Sequence, residues 1–167
     1  VRAKDGLVSR KIFVDPEIYQ QELVKVFGRC WLFLGHESQV PNSGDYFTNY
    51  MGEDPVIVCR GSDAKVRVFL NSCRHRGMKV CRADAGNAQE FQCSFHGWTY
   101  GTTGELLGVP FYRDAYQSKL DKCKWGLKEV PRVATYGGLV FGTWDESAPT
   151  LDEYLGELRW YLDTVIE

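Results

Sequence analysis

One residue separates Cys73 from His75, two separate Cys93 from His96, and 17 lie between the pairs. The short intervals put each cysteine on the same tight loop as a histidine, so four metal-ligating side chains can meet. Glycines follow both loops, at Gly77 and Gly97, where the backbone must turn sharply round a bulky object. Phe91, Phe95 and Trp98 supply apolar cover for a centre shielded from water. These loops take two of the three histidines and two of the six cysteines. Cys30, Cys59, Cys81 and Cys123 are scattered singly, and Cys30 and Cys59 lie in apolar runs that read as buried.

Two thiolates and two imidazoles suit two kinds of centre. One is structural zinc, which is tetrahedral and commonly Cys2His2. The other is a Rieske [2Fe–2S] cluster, in which two cysteines hold one iron and two histidines the other. Ligand identity does not separate them, but ligand order favours the cluster. Zinc sites more often pair Cys with Cys and His with His, whereas each loop here contributes one of each.

The surrounding pattern is β. Asp45–Met51, Pro55–Arg60, Lys65–Asn71, Glu90–Cys93, Trp98–Gly101, Glu105–Val109, Lys128–Tyr136 and Leu139–Trp144 read as short strands, with turns at Gly61–Ala64 and Gly101–Gly104. Lys65-Val66-Arg67-Val68-Phe69 alternates as a half-buried strand does. Ahead of them Asp15 can cap a helix with Pro16 in its first position, and the apolar stripe Ile18, Tyr19, Leu23, Val26 and Phe27 carries it to about Gly28. Cys30–Leu34 then reads as extended and buried. Behind the β region, Thr150-Leu151-Asp152-Glu153 has the form of a capping box before Tyr154, Leu155, Leu158 and Leu162. The expected fold class is mainly β, with antiparallel sheets flanked by N- and C-terminal helical segments.

A length of 167 residues suffices for one domain with a core plus outlying helices. A net charge of −2 points to no nucleic-acid or membrane partner. No stretch approaches the roughly 20 apolar residues of a membrane span. No signal-peptide core follows Val1–Gly6, so the chain reads as cytoplasmic, where the cysteines stay unpaired.

Asn71-Ser72-Cys73-Arg74-His75-Arg76-Gly77-Met78 and Cys93-Ser94-Phe95-His96-Gly97-Trp98-Thr99-Tyr100-Gly101 closely resemble the cluster loops of aromatic-ring-hydroxylating (Rieske non-haem iron) dioxygenases. The likeness is to the large, or α, subunit, near the naphthalene, biphenyl and polycyclic-arene members. Gly126-Leu127-Lys128-Glu129-Val130 and Tyr154-Leu155-Gly156 share it, so it covers essentially the whole chain. The resemblance implies a [2Fe–2S] cluster on Cys73, His75, Cys93 and His96. It implies a helical segment over 1–35 that packs with the catalytic domain, a Rieske domain over 36–149, and the start of the catalytic domain from 150 to 167. It further implies cis-dihydroxylation of an arene with O2, electrons from NADH through a reductase or ferredoxin, and a trimer of α subunits with or without a β subunit.

The mononuclear Fe(II) of that family needs two histidines and a carboxylate. With His75 and His96 on the cluster only His36 remains, and it reads as an ordinary structural histidine. The expectation is therefore an N-terminal portion of a longer α subunit, with no catalytic residue of its own, and the missing initiator Met agrees. The runner-up is a stand-alone Rieske-type ferredoxin, which needs neither the flanking helices nor this length. High-potential Rieske proteins add a disulfide beside the cluster, but Met78 and Phe95 stand at the corresponding places. A potential near the low end of the range, about −150 mV, is expected. Arg74, Arg76 and Lys79 make the first loop basic. With Trp98 over the second loop, Arg74 and Arg76 form a candidate docking rim for an acidic ferredoxin.

Overall fold

The structure, a computed structural model, describes residues 3–166. Two short helices open it, α1 (Lys11–Val14) and α2 (Pro16–Glu22). Asp15 caps α2 as expected, its carboxylate accepting from the Glu17 N–H at 3.0 Å, with Pro16 in the first turn. The α-helix does not continue to Gly28. Leu23–Phe27 wind instead as a π-helix, and the Gly28 N–H closes it on the Leu23 carbonyl at 2.9 Å.

Ten strands follow: β1 (Leu32–His36), β2 (Asp45–Met51), β3 (Asp54–Arg60), β4 (Val66–Leu70), β5 (Ala85–Asn87), β6 (Glu90–Gln92), β7 (Thr99–Gly101), β8 (Leu106–Gly108), β9 (Arg132–Tyr136) and β10 (Leu139–Thr143). They pair antiparallel in three sheets, ordered β1-β10-β9, β4-β3-β2-β5 and β6-β7-β8. The chain ends in α3 (Leu151–Leu155) and α4 (Leu158–Asp163). Mainly β architecture with helices at both ends is what the sequence pattern implied.

Several expectations need correction. The boundary at 35/36 cuts through β1, because Leu32–His36 pairs with β10 and belongs to the sheets. Cys30–Leu34 is only partly buried: Leu34 is in the core, but Phe33 is 57% exposed and packs edge-on against Phe141. Strand Lys128–Tyr136 divides. Glu129 bridges Phe69, Pro131 offers no donor for a ladder, and regular pairing starts at Arg132. Edge strand β5 carries no apolar alternation. It is held by its ladder to β2 and by Asn87 Nδ2 donating to Asp45 at 2.8 Å. The Thr150–Glu153 capping box forms, but the helix behind it breaks at Gly156, whose φ of +50° suits glycine.

Two main apolar clusters fill the β region. Leu34, Val40, Phe47, Met51, Val56, Val58, Val68, Val130 and Val140 form one, where the sheet β4-β3-β2-β5 meets β1 and β10. The second joins Ile57, Cys59 and Phe69 to Phe91, Trp98, Tyr100, Leu106 and both loop cysteines, Cys73 and Cys93. The loops thus stand on the core between the sheets β4-β3-β2-β5 and β6-β7-β8. A smaller cluster of Trp31, Leu151 and Leu155 seats α3.

Candidate metal centre

The two loops are built to one plan. In the first, the Cys73 N–H bonds the Met78 carbonyl at 2.8 Å and the Gly77 N–H bonds the Cys73 carbonyl at 2.8 Å. In the second, the Cys93 N–H bonds the Trp98 carbonyl at 2.8 Å and the Gly97 N–H bonds the Cys93 carbonyl at 2.9 Å. Gly77 and Gly97 both take positive φ, +74° and +68°. A side chain in that conformation is strained. At Gly97 a Cβ would also approach Pro110 Cγ to 3.0 Å. The glycines that the sequence pattern marked as turn points therefore serve that purpose.

The plan sets the cysteines and the histidines at different depths. Cys73 and Cys93 are 4% and 1% exposed, on the core side, while His75 and His96 are half-buried at the loop tips. His75 Nδ1 and His96 Nδ1 stand 3.1 Å apart, with ring centroids 4.6 Å apart. Burial, the neighbouring His96 and Arg76 all hold His75 below the ordinary imidazole pKa, in that order of weight. Among the described residues no three His, Cys, Asp or Glu side chains converge on one point. The donors are disposed instead as two like pairs, sulfur inward and nitrogen outward. That disposition fits a two-metal cluster, which takes its ligands two and two, better than a single tetrahedral ion.

Aromatic side chains close the site. Trp98 stacks on His75 with centroids 5.2 Å apart and planes within 8°, and Trp125 and Tyr116 meet Trp98 edge-on. Trp98 is only 3% exposed, which corrects its assignment to a docking rim: it packs beneath the surface, and the outer face is left to others. Arg74 and Arg76 are exposed as expected, Arg74 lying 5.8 Å over the Trp125 ring. Lys79 is drawn away, its Nζ donating to the Tyr50 hydroxyl at 2.7 Å. Phe95, expected as cover, is exposed and tilts against the His96 ring.

Tyr100 was not among the residues the sequence singled out. Its hydroxyl lies 3.3 Å from Cys73 Sγ and accepts the Arg74 N–H at 3.0 Å. Burial and the contact with Cys73 raise its pKa well above that of an ordinary tyrosine, so it stays protonated and can donate to sulfur. The available signal was general: a buried tyrosine hydroxyl needs a partner. His36 takes no part in the centre. Its Nδ1 bonds Ser38 and caps a 3₁₀ turn, as an ordinary structural histidine does.

The family model for the Rieske [2Fe–2S] domain matches residues 30–133. The α subunit of biphenyl 2,3-dioxygenase from Rhodococcus jostii (strain RHA1) is 52% identical over 167 residues, 100% of this chain and 36% of that protein. The α subunit of chlorobenzene dioxygenase from Cupriavidus sp. (strain PS12) is 54% identical over 162 residues, 97% of this chain and 36% of that protein. A crystal structure of naphthalene 1,2-dioxygenase from Rhodococcus sp. bound to indole superposes with a TM-score of 0.92 at 48% identity, covering 98% of this chain and 37% of that one. The chain spans little more than a third of the length of these relatives.

Proposed function

The chain belongs to the Rieske [2Fe–2S] domain family, and from that premise we propose that it is the electron-relay part of an aromatic-ring-hydroxylating dioxygenase, with its cluster on Cys73, His75, Cys93 and His96. The observation that carries the reading is the pair of matching loops, which set two thiols inward and two imidazoles outward against a core of the family's fold. Likeness to dioxygenase α subunits along the full chain supports this over a stand-alone ferredoxin. Substrate oxidation then belongs to a catalytic domain with a mononuclear Fe(II), because this chain has only His36 left to offer.

Cys73 and Cys93 would hold one iron and His75 and His96 the other. The cluster would supply storage of one electron at a time, received from an NADH-fed reductase or ferredoxin. The rest is done by the chain. Trp98, stacked on His75, keeps water from one side of the histidine pair. The Tyr100 hydroxyl and the buried floor fix Cys73. Arg74 and Arg76 place positive charge beside the half-buried imidazoles, where an acidic donor can approach.

The β domain then starts at β1, in agreement with the family match from residue 30. The helical segments before it and from residue 150 onward pack with the catalytic domain, to which Leu158, Trp160 and Tyr161 offer exposed apolar side chains. Assembly as a trimer of α subunits, with or without a β subunit, follows from the same reading. No helix among the described residues is long and apolar enough to cross a membrane. All six cysteines are free of disulfides, which suits a reducing cytoplasm.

The test is the metal itself. The intact protein, purified without added metal, should be brown, contain two acid-labile sulfides per chain with at least as many irons, and give a rhombic EPR signal on reduction. Cys73→Ser and His96→Ala should each abolish the signal. A colourless protein that carries zinc overturns the assignment.

A further inference from the structure

Both loops sit on the ends of what should be a β-ladder, yet only one of them has it. In the second loop the ladder is complete. Below the Cys93–Trp98 closure, Gln92 pairs with Thr99, Phe91 with Tyr100 and Glu90 with Gly101. In the first loop the matching step below the Cys73–Met78 closure would set Asn71 opposite Val80, as Phe91 stands opposite Tyr100. That pairing cannot form through the backbone, because the Asn71 N–H is already given to the Pro55 carbonyl at 2.8 Å. Neither Val80 nor Cys81 belongs to a strand.

The side chain of Asn71 does what the ladder does elsewhere. Its Oδ1 accepts the N–H groups of Val80 and Cys81, each at 2.9 Å, and its Nδ2 donates to the Cys81 carbonyl at 2.8 Å. Asn71 is 2% exposed and its amide thus satisfies three backbone groups of the return segment. Val80 and Cys81 are themselves buried beside Cys73. With the amide removed, three buried backbone groups lose their partners, and no backbone pairing stands ready to replace it.

We propose that Asn71 is a positioning residue for the first loop: one side-chain amide fixes the placing of Cys73 and His75, while the β6–β7 hairpin fixes Cys93 and His96. The consequence is an asymmetric centre, in which half of the donor set depends on a single residue outside it. The inference rests on the reading of these four residues as cluster ligands.

Hydrogen–deuterium exchange on the intact, cluster-loaded protein tests it, with EPR on the same samples. In Asn71→Ala, amides over 73–82 should exchange faster by about tenfold. Those over 91–101 should stay at the wild-type rate, and the reduced-state g values should move. Asn71→Asp keeps the acceptor for both N–H groups, and when ionised it loses the donor and sets a buried charge against the Cys81 carbonyl. It should accelerate the same amides and leave those over 91–101 unchanged, and it decides the matter if the alanine variant does not fold. Equal acceleration in both loops would mark Asn71 as a general stabiliser and overturn the proposal, as would no acceleration in either. Failure of the underlying reading looks different: the wild-type protein would then show no rhombic signal at all.

Discussion

The Tyr100 hydroxyl lies 3.3 Å from Cys73 Sγ, a neutral side-chain donor placed against a sulfur of the candidate centre. On reduction the cluster gains negative charge, so a donor to its sulfur stabilises the reduced form more than the oxidised one. Tyr100→Phe keeps the ring, and with it the packing against Phe91 and Trp98, and removes only the hydroxyl. It also leaves the Arg74 N–H without its partner. The reduction potential of the variant should fall. A differential stabilisation of about 1 kcal/mol corresponds to about 40 mV for a one-electron couple. Redox titration followed by EPR measures it, and an unchanged or higher potential would contradict the role given to this hydroxyl. Cys59 and Cys81 are buried in the same cluster, and burial pushes both thiols up to about 12. They remain neutral thiols and add no competing charge beside the loop cysteines.

Among the elements, the β3–β4 hairpin offers a test that depends on pH. Its turn is held by Arg67, whose guanidinium meets both carboxylate oxygens of Asp63 at 2.6 and 2.8 Å. The Arg67 hydrogen bonds hold the Asp63 carboxyl well below the usual carboxylate range. A depressed folded-state pKa stabilises the fold above the unfolded value, about 3.9, and loses that effect as pH falls through the folded value. Asp63→Asn should therefore lower the urea midpoint at pH 7, modestly because the pair is open to solvent. The gap to the wild type should narrow below about pH 4. A gap that stays constant with pH would assign the effect to the turn rather than to the charge. This hairpin was legible in the sequence because alternation over Lys65–Phe69 and a turn at Gly61–Ala64 are local signals. The two candidate loops stood out for a different reason: the chain has three histidines, and the short spacing of two of them from cysteines is itself a geometry. What stayed hidden depends on tertiary register. Strand β5 forms on β2 without an apolar pattern of its own, and the π-helix at Leu23–Phe27 breaks a stripe that reads as continuous. Tyr100 and Asn71 are ordinary residue types until the fold sets one against Cys73 and the other against Val80 and Cys81.

For the whole molecule, charge distribution matters more than net charge. The chain is slightly acidic at −2, yet Arg74 and Arg76 stand exposed beside the half-buried His75. Fields from exposed groups fade over a Debye length of about 8 Å at physiological salt, so an approaching protein senses the nearest charges first. On the proposed reading, a locally positive tip on a weakly negative body would orient an acidic donor toward the half-buried imidazoles and raise its encounter rate. Arg74→Glu with Arg76→Glu reverses that tip without touching a ligand. At low ionic strength, stopped-flow reduction by an acidic ferredoxin should slow by about tenfold or more. The decline in rate with added salt should flatten or change sign. Arg74 also packs on Trp125, so a loss of packing must be separated from a loss of charge. Arg74→Gln with Arg76→Gln makes that separation. It should give an intermediate rate with the wild-type EPR spectrum, because neutralising the tip removes attraction without adding repulsion. Rates that ignore both substitutions would place the docking surface elsewhere on the molecule.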